Sequence, residues 1–166
     1  MSVFSAPLKS LLAASVVTLS LTGTAVSQSA AEAAEAFFDR YNKQDVSAMT
    51  ALFVPRGIVE YVPFNLSGPV EEVGPGSWGV LIDAFPDLRN AVRSIRETGD
   101  GRVAHVDVDI LGTQHKDAFG VANKGRSYDL RHLFVIETDE AGKITKMTSF
   151  WDNADWFRQL GKTNLD

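Results

Sequence analysis

Cysteine is absent from this sequence of 166 residues, and the absence removes several kinds of chemistry at once. Without thiols there is no disulfide framework, no thiolate metal site, no CxxC redox centre and no cysteine nucleophile. A basic excess is also lacking, since 16 lysines and arginines face 21 aspartates and glutamates for a net charge of −5. Because phosphate binding requires clustered cations, the charge argues against nucleic acid as the main partner.

The remaining composition is that of an ordinary globular protein. Hydrophobic residues make up 45% of the chain and charged residues 22%, which argues against a disordered or fibrous chain. The length allows one domain and leaves little room for a second.

The N-terminal segment 1–27 is typical of a secretory signal peptide. One cation precedes a mostly apolar run from Leu11 to Val26, and Ala25-Val26-Ser27 offers small residues for cleavage. The run is shorter and more polar than the roughly 20 residues that a spanning helix needs, although an uncleaved membrane anchor is the alternative. We therefore predict cleavage before Gln28, a secreted or periplasmic protein with no membrane association after cleavage, and a mature domain over 28–166.

The first half of the mature chain has the apolar spacing of helices. One stripe contains Phe37, Phe38 and Tyr41, and a second short helix follows a cap at Asp45. Later features are a short strand over 58–62, a glycine- and proline-rich loop over 68–76, and a third helix that is capped by Ser77 and carries Trp78, Leu81, Ile82 and Phe85.

From Leu88 onward the period changes from helical to alternating, which predicts strands. The strands are expected at about 88–98, 102–112, 126–137 and 143–152, joined by hairpin-type turns, with a last helix from Asn153 to Leu160. This order predicts an α+β domain in which an antiparallel sheet carries helices on one face.

Four short motifs carry a family resemblance. They are Ala84–Leu88 (AFPDL), Gly112-Thr113, Phe150-Trp151-Asp152 and Arg158–Gly161 (RQLG). With the element order, they resemble the SnoaL-like polyketide cyclases of the NTF2-like superfamily over roughly residues 31–161. The resemblance implies a cone in which a curved antiparallel sheet wraps around the N-terminal helices, with a cavity for a small, often apolar ligand at its open end. Family members include cyclases, isomerases, hydrolases, dehydratases and binding domains, so the fold does not give the activity.

The chain also departs from its relatives. The tyrosine of ketosteroid isomerases falls on Phe37 and their general-base aspartate near Tyr61, which argues against that chemistry. In the final strand, which commonly reads EHWDVVD, the second family aspartate matches Asp152 and the first falls on Ser149. If the catalytic aspartate of the family is the first, this chain lacks it.

The last hairpin holds the candidate catalytic residues. A turn between its strands pairs Tyr128 with Asp152, and residues directly opposite share a face. His132 and Asp152 then interrupt an apolar face that points at the helices. A carboxylate and an imidazole among aromatic rings have shifted pKa values, as an acid/base site requires. A register slip by one residue would instead turn Ser149 and Trp151 inward.

Each candidate has a structural alternative. Asp152 can be the N-cap of the final helix, and His132 can be a hydrogen-bonded core histidine. His105, Asp107 and Asp109 alternate along one strand and could suggest a metal, but their spacing spreads them over about 13 Å. We therefore expect no metal site and no cofactor, and the inward or outward orientation of this strand face stays open.

The resemblance, together with these residues, implies a cofactor-free acid/base enzyme of the cyclase, isomerase or hydratase/dehydratase type that acts on a small hydrophobic carbonyl compound. Asp152 would transfer the proton, and His132 or Tyr128 would polarise the carbonyl. Tyr61, Trp78, Tyr128, Phe134 and Phe150 would bind the substrate. The alternatives are a non-catalytic protein that binds a small hydrophobic ligand and a purely structural dimerisation domain; a homodimer is expected.

Overall fold

A computed structural model describes residues 28–163 of the chain. The predicted signal peptide lies outside the described residues, and its cleavage stays a prediction. Within 28–163, no helix combines the length and the hydropathy that a membrane crossing requires.

The first two helices begin at the capping residues that their sequences favour. Helix α1 (Ala30–Asn42) opens with a capping box, in which the hydroxyl of Ser29 accepts from the Glu32 N–H at 3.3 Å and the Glu32 carboxylate accepts from the Ser29 N–H at 3.0 Å. Helix α2 (Val46–Thr50) begins after Asp45, whose carboxylate accepts a backbone N–H at 2.9 Å. Both predicted helices are therefore confirmed.

Six strands form one curved sheet, in the order β2-β1-β6-β5-β4-β3. They are β1 (Phe53–Tyr61), β2 (Leu66–Pro69), β3 (Arg89–Glu97), β4 (Val103–Thr113), β5 (Ser127–Thr138) and β6 (Ile144–Trp151). The last four lie within about a residue of the predicted ranges. The α+β cone is confirmed, with one difference from an all-antiparallel sheet: β1 pairs with β6 in parallel, and every other pair is antiparallel.

Helix α3 (Val70–Ala84) begins earlier than the sequence predicts. The segment 68–76 contains the end of β2 and the first two turns of this helix, so the predicted loop and the predicted cap at Ser77 are wrong. A short 3₁₀ helix (Val62–Phe64) joins β1 to β2, and helix α4 (Asn153–Gln159) follows β6 as predicted.

The glycine that suggests a loop in this segment makes a close contact in the helix instead. A Cβ atom at Gly74 would lie 2.6 Å from the ring of Trp78, one turn further along α3. Only glycine lets the indole lie against the helix backbone here. Pro75 lies inside the same helix, where its ring and missing N–H oppose helical structure, so local propensity points away from the observed fold.

The core is built from aromatic side chains that the helices and the sheet share. The ring of Phe37 on α1 meets Trp78 edge to face at 5.4 Å, and Phe38 meets Phe134 of β5 at 5.1 Å. All four side chains are at most 3% exposed. These contacts fix α1 and α3 against the inner face of the sheet.

The register of β5 and β6 differs from the predicted one. His132 lies opposite Trp151, and Phe134 lies opposite Ser149. Ser149 and Trp151 therefore share the inner face with His132, and the predicted inward position of Asp152 is wrong.

A β-bulge near the turn causes this change of face. Thr138 pairs with Ile144, whereas its neighbour Glu137 pairs with Lys146, so Thr145 is an extra residue on β6. Because side chains alternate along a strand, one extra residue turns every later side chain of β6 to the opposite face.

Candidate active site

A small cavity lies between the inner face of the sheet and the helices. Its volume of about 60 Å³ accommodates a few water molecules. The walls are mostly aromatic, and they are formed by Tyr41, Tyr61, Phe64, Trp78, Phe119, Tyr128, Phe134, Trp151 and Trp156, together with Leu81, Ile110, Ser77, His132 and Ser149. Among the described residues, no aspartate or glutamate lines this cavity.

Much of the wall is a chain of rings in edge-to-face contact. Trp151 lies 5.9 Å from Tyr61 and 4.9 Å from Phe64, and Trp156 lies 6.1 Å from Phe64 and 6.2 Å from Tyr128. The ring planes meet at 69–88°, the arrangement that aromatic quadrupoles favour. The rings support one another and form a largely apolar surface of fixed shape.

The half-buried wall residues mark the open side of the cavity. There Phe119 stacks on Phe64 with 5.5 Å between ring centres. Phe119 has a φ of +49° in a two-residue turn with Gly120, which Ala118 and Val121 close by exchanging backbone hydrogen bonds. Such a φ is unusual for a bulky residue. The turn therefore holds the Phe119 ring at the opening although phenylalanine disfavours this backbone conformation.

His132 is the titratable group at the centre of the site, and its tautomer follows from one contact. Its Nδ1 lies 2.8 Å from the carbonyl oxygen of Leu130. Because a carbonyl can only accept, Nδ1 carries the proton and Nε2 carries the lone pair. Burial is the main cause that lowers the pKa of His132 to about 4, so the imidazole is neutral at neutral pH.

Three tyrosines supply hydroxyl groups to the same cavity. Burial raises the pKa of Tyr41, Tyr61 and Tyr128 well above the usual value, so all three stay protonated at physiological pH. At Tyr61 the indole of Trp78 opposes part of this rise in the pKa, because an indole N–H can only donate and therefore favours the phenolate.

Ser149 contributes one more hydroxyl, from the central strand β6. It lies opposite Phe134 on one side and Tyr61 of β1 on the other. Its side chain is fully buried, and its Oγ has no hydrogen-bond partner among residues 28–163. Sequence reasoning reached this residue only as the outcome of a register slip.

Most of the predicted substrate-binding residues meet at this cavity. Tyr61, Trp78, Tyr128 and Phe134 line it, as does the predicted catalytic residue His132. The spacing of aromatic residues in the sequence is sufficient to find them, while their roles stay predictions.

Asp152 and Phe150 lie elsewhere, and their predicted positions are wrong. Asp152 is exposed, and its carboxylate accepts the backbone N–H of Asp155 at 2.9 Å, so it is the N-cap of α4. Phe150 is 39% exposed on the outer face of the sheet, opposite Leu133. Both departures have the same cause, the bulge at Thr145.

The wall residues that sequence reasoning missed are Tyr41, Phe64, Ser77, Leu81, Ile110, Phe119, Ser149, Trp151 and Trp156. Tyr41 and Leu81 belong to predicted apolar helix faces, which indicate a core and not a site. Phe64 and Phe119 lie in short connections without periodicity, so no sequence signal marks them. The sequence places Trp151 on the inner face only if the register of the last hairpin slips by one residue.

The acidic face of β4 points to the outside of the sheet. The carboxylate of Asp107 accepts from Arg131 Nε at 2.7 Å, and that of Asp109 accepts from Arg93 at 2.6 Å. The pairing with Arg131 is the main cause that lowers the pKa of Asp107. His105 and these two carboxylates do not converge, and no metal-binding cluster is found in the described part of the chain.

The homodimer expected for this protein stays a prediction.

Comparison with known proteins gives a family match. A family model described as SnoaL-like polyketide cyclase matches residues 29–160. A search of curated proteins finds no match.

Solved structures match over most of the chain. A protein from Jannaschia sp. CCS1, described as a SnoaL-like polyketide cyclase, superposes with a TM-score of 0.72 at 17% identity, covering 87% of this chain and 99% of that chain. AclR from Streptomyces galilaeus, described as a hydroxylase, gives 0.70 at 16% identity, with 81% and 86% covered. IdmH from Streptomyces antibioticus, described as a polyketide cyclase, gives 0.67 at 21% identity, with 80% and 98% covered. At these identities the likeness shows the fold alone.

Proposed function

Because the chain belongs to the SnoaL-like polyketide cyclase family, we propose that it is a cofactor-free acid/base enzyme acting on a small, largely apolar carbonyl compound. The observation that carries the proposal is the imidazole of His132. It is buried and neutral, and it is held by Leu130 so that Nε2 keeps its lone pair at the wall of an aromatic cavity. Because the ring is unprotonated at neutral pH, Nε2 is free to accept a proton from a carbon next to a carbonyl.

In the proposed step, Nε2 of His132 takes a proton from the carbon next to the substrate carbonyl. The electron pair of the broken C–H bond forms the C=C bond of an enolate, and the carbonyl π pair moves onto the oxygen. Where the substrate has a C=C bond conjugated with this enolate, return of the proton to the far carbon of that bond shifts the double bond and completes an isomerisation. Attack of the enolate carbon on a second carbonyl closes a ring, and the imidazolium protonates the resulting alkoxide.

The developing oxyanion requires donors that stay protonated, and the tyrosines supply them. Tyr61 is the best placed, because it lines the cavity and lies opposite Ser149 on the neighbouring strand. Since fixed donors in a dry site stabilise charge far more than donors in water, burial of these phenols favours the reaction as well as the fold.

Ligand binding without turnover is the second candidate, and the lining of the cavity favours it. No carboxylate reaches the walls formed by the described residues, so His132 is the one side chain of these walls that can accept a proton at neutral pH. A binding protein would need the same aromatic walls and the same donors, but it would not need the lone pair of His132.

The two candidates separate in one experiment with 2-indanone, an apolar ketone with acidic C–H groups next to its carbonyl. Its carbonyl end would enter the cavity of about 60 Å³, and its benzene ring would extend through the open side near Phe64 and Phe119. In D₂O, the enzyme is expected to exchange these hydrogens for deuterium above the buffer rate, as followed by proton NMR. His132→Gln should lower the exchange rate by roughly 10²–10⁴-fold while retaining the ketone in a saturation-transfer measurement. Equal exchange by wild type and His132→Gln contradicts the catalytic assignment, and binding without any exchange supports the binding protein.

A further inference from the structure

We propose that Ser149 is the specificity residue of this site: its hydroxyl donates a hydrogen bond to an oxygen atom of the ligand and selects oxygen-bearing ligands over hydrocarbons of the same shape. The proposal rests on the proposed function, because it assumes that a small, largely apolar molecule occupies the cavity. It adds a requirement on that molecule, namely an acceptor oxygen next to the reacting carbon.

The first support is the unsatisfied state of the hydroxyl. Ser149 is 0% exposed, and its Oγ has no partner among residues 28–163. Buried polar groups in native proteins are nearly always hydrogen-bonded, since leaving one without a partner is unfavourable. The preceding residue, Thr148, shows the contrast. It lies on the other face of the same strand, and its hydroxyl donates to the Glu60 carboxylate at 3.3 Å.

The second support is where the hydroxyl lies. Ser149 belongs to the cavity wall, on the central strand between Tyr61 and Phe134. Neither neighbouring side chain accepts a hydrogen bond from it, the phenol of Tyr61 included. An oxygen atom inside the cavity is therefore the partner that this surrounding leaves open.

The third support is the relation between Ser149 and His132. His132 faces Trp151 and Ser149 faces Phe134, so the two are diagonal neighbours on one face of an antiparallel pair. Diagonal neighbours lie about 7–8 Å apart, a span that one carbonyl group and its adjacent carbon can bridge. A ligand can thus place its oxygen at Ser149 and its acidic C–H at Nε2 of His132.

The test uses two hydroxyl deletions on one strand and two probes of one shape. Ser149→Ala removes the hydroxyl without a partner, and Thr148→Val removes the one with a partner on the opposite face. The probes are 2-indanone and indane, which share a bicyclic carbon frame and differ by the ketone oxygen. Affinity is measured by NMR titration, and Tm is measured on the same samples without probe.

The proposal expects Ser149→Ala to weaken 2-indanone binding by about three- to tenfold and to leave indane unchanged. The same variant should not lower Tm, because the hydroxyl makes no hydrogen bond to the described residues. Thr148→Val should change neither affinity. Ser149→Cys, of similar shape and with a weaker donor, should bind 2-indanone between wild type and Ser149→Ala.

Three results would overturn the inference. Equal affinity of wild type and Ser149→Ala for 2-indanone removes the ligand contact. A lower Tm for Ser149→Ala with unchanged affinities makes the hydroxyl structural. Wild-type protein that binds neither probe contradicts the proposed function, and the inference fails with it. The first two outcomes leave the proposed function standing.

Discussion

The side chain of His132 is tied to the backbone carbonyl of Leu130, two residues earlier on the same strand, by a hydrogen bond of 2.8 Å. This contact commits one ring nitrogen to the backbone and leaves the other as the basic atom. The surrounding side chains keep the imidazole uncharged, because burial lowers its pKa to about 4. A histidine that would titrate near pH 6.5 in water is therefore a neutral base over the whole physiological range.

The first prediction concerns the dependence of stability on pH. The pKa of His132 is about 4 in the folded protein and about 6.5 in the unfolded chain. Between these values the unfolded chain binds a proton that the folded protein does not. The free energy of unfolding should therefore fall as the pH falls from about 6.5 to about 4, with His132 contributing about 3 kcal/mol.

Urea denaturation of wild type and His132→Gln at pH 7 and pH 4.5 measures this contribution. The variant lacks the titrating group, so its loss of stability on acidification should be smaller than that of wild type. Equal losses in the two proteins would show that His132 does not have the lowered pKa.

A second prediction separates the two possible roles of Asp152. Its carboxylate caps α4 by accepting the N–H of Asp155, and asparagine caps a helix nearly as well. Asp152→Asn should therefore leave both the stability and the exchange of 2-indanone almost unchanged, whereas Asp152→Ala should cost about 1 kcal/mol of stability. Loss of exchange in a stable Asp152→Asn protein would restore the catalytic role that the sequence predicts.

Two glycines of α3 make a matched pair for a third prediction. A Cβ at Gly74 would meet the ring of Trp78 at 2.6 Å, whereas a Cβ at Gly76 has no atom within 4 Å. Gly76→Ala should raise the free energy of unfolding by up to about 1 kcal/mol through helix propensity. Gly74→Ala should lower it by about 1–3 kcal/mol through overpacking, and it should weaken 2-indanone binding because Trp78 forms part of the cavity. Equal effects of the two substitutions in urea denaturation contradict the close contact.

The fourth prediction concerns processing. The apolar run and the small residues Ala25-Val26-Ser27 favour cleavage by a signal peptidase. Protein recovered from the secreted or periplasmic fraction should begin at Gln28, as determined by intact mass and N-terminal sequencing. Exported material that still begins at Met1 would favour the anchor.

The strands of the second half could be predicted from the sequence because their physical cause is local. Alternation of apolar and polar residues over 88–152 reflects burial of one sheet face, and β3 to β6 lie where that pattern places them. The helix face containing Phe37, Phe38 and Tyr41 is found in the same way. Each of these signals depends on residues a few positions apart.

The site could be predicted only in part, because its geometry depends on a single unpaired residue. The alternation of inward and outward side chains along β6 shifts by one residue at Thr145. Nothing in a sequence shows which residue of a strand will bulge. The bulge turns Ser149 to the inner face of the sheet and Asp152 away from it. Helix α3 was misjudged for a related reason, since the contact between Gly74 and Trp78 outweighs the helix-breaking tendency of its glycines and proline.

The central claim is that His132 is a neutral base with its proton on Nδ1, and NMR of protein carrying ¹⁵N-labelled histidine measures it directly. The account predicts that the ring nitrogens of His132 show the Nδ1–H tautomer and that the ring does not protonate until the pH falls to about 4. Addition of 2-indanone should shift the Nε2 resonance more than the Nδ1 resonance. Titration near pH 6.5, or the proton on Nε2, would contradict the account.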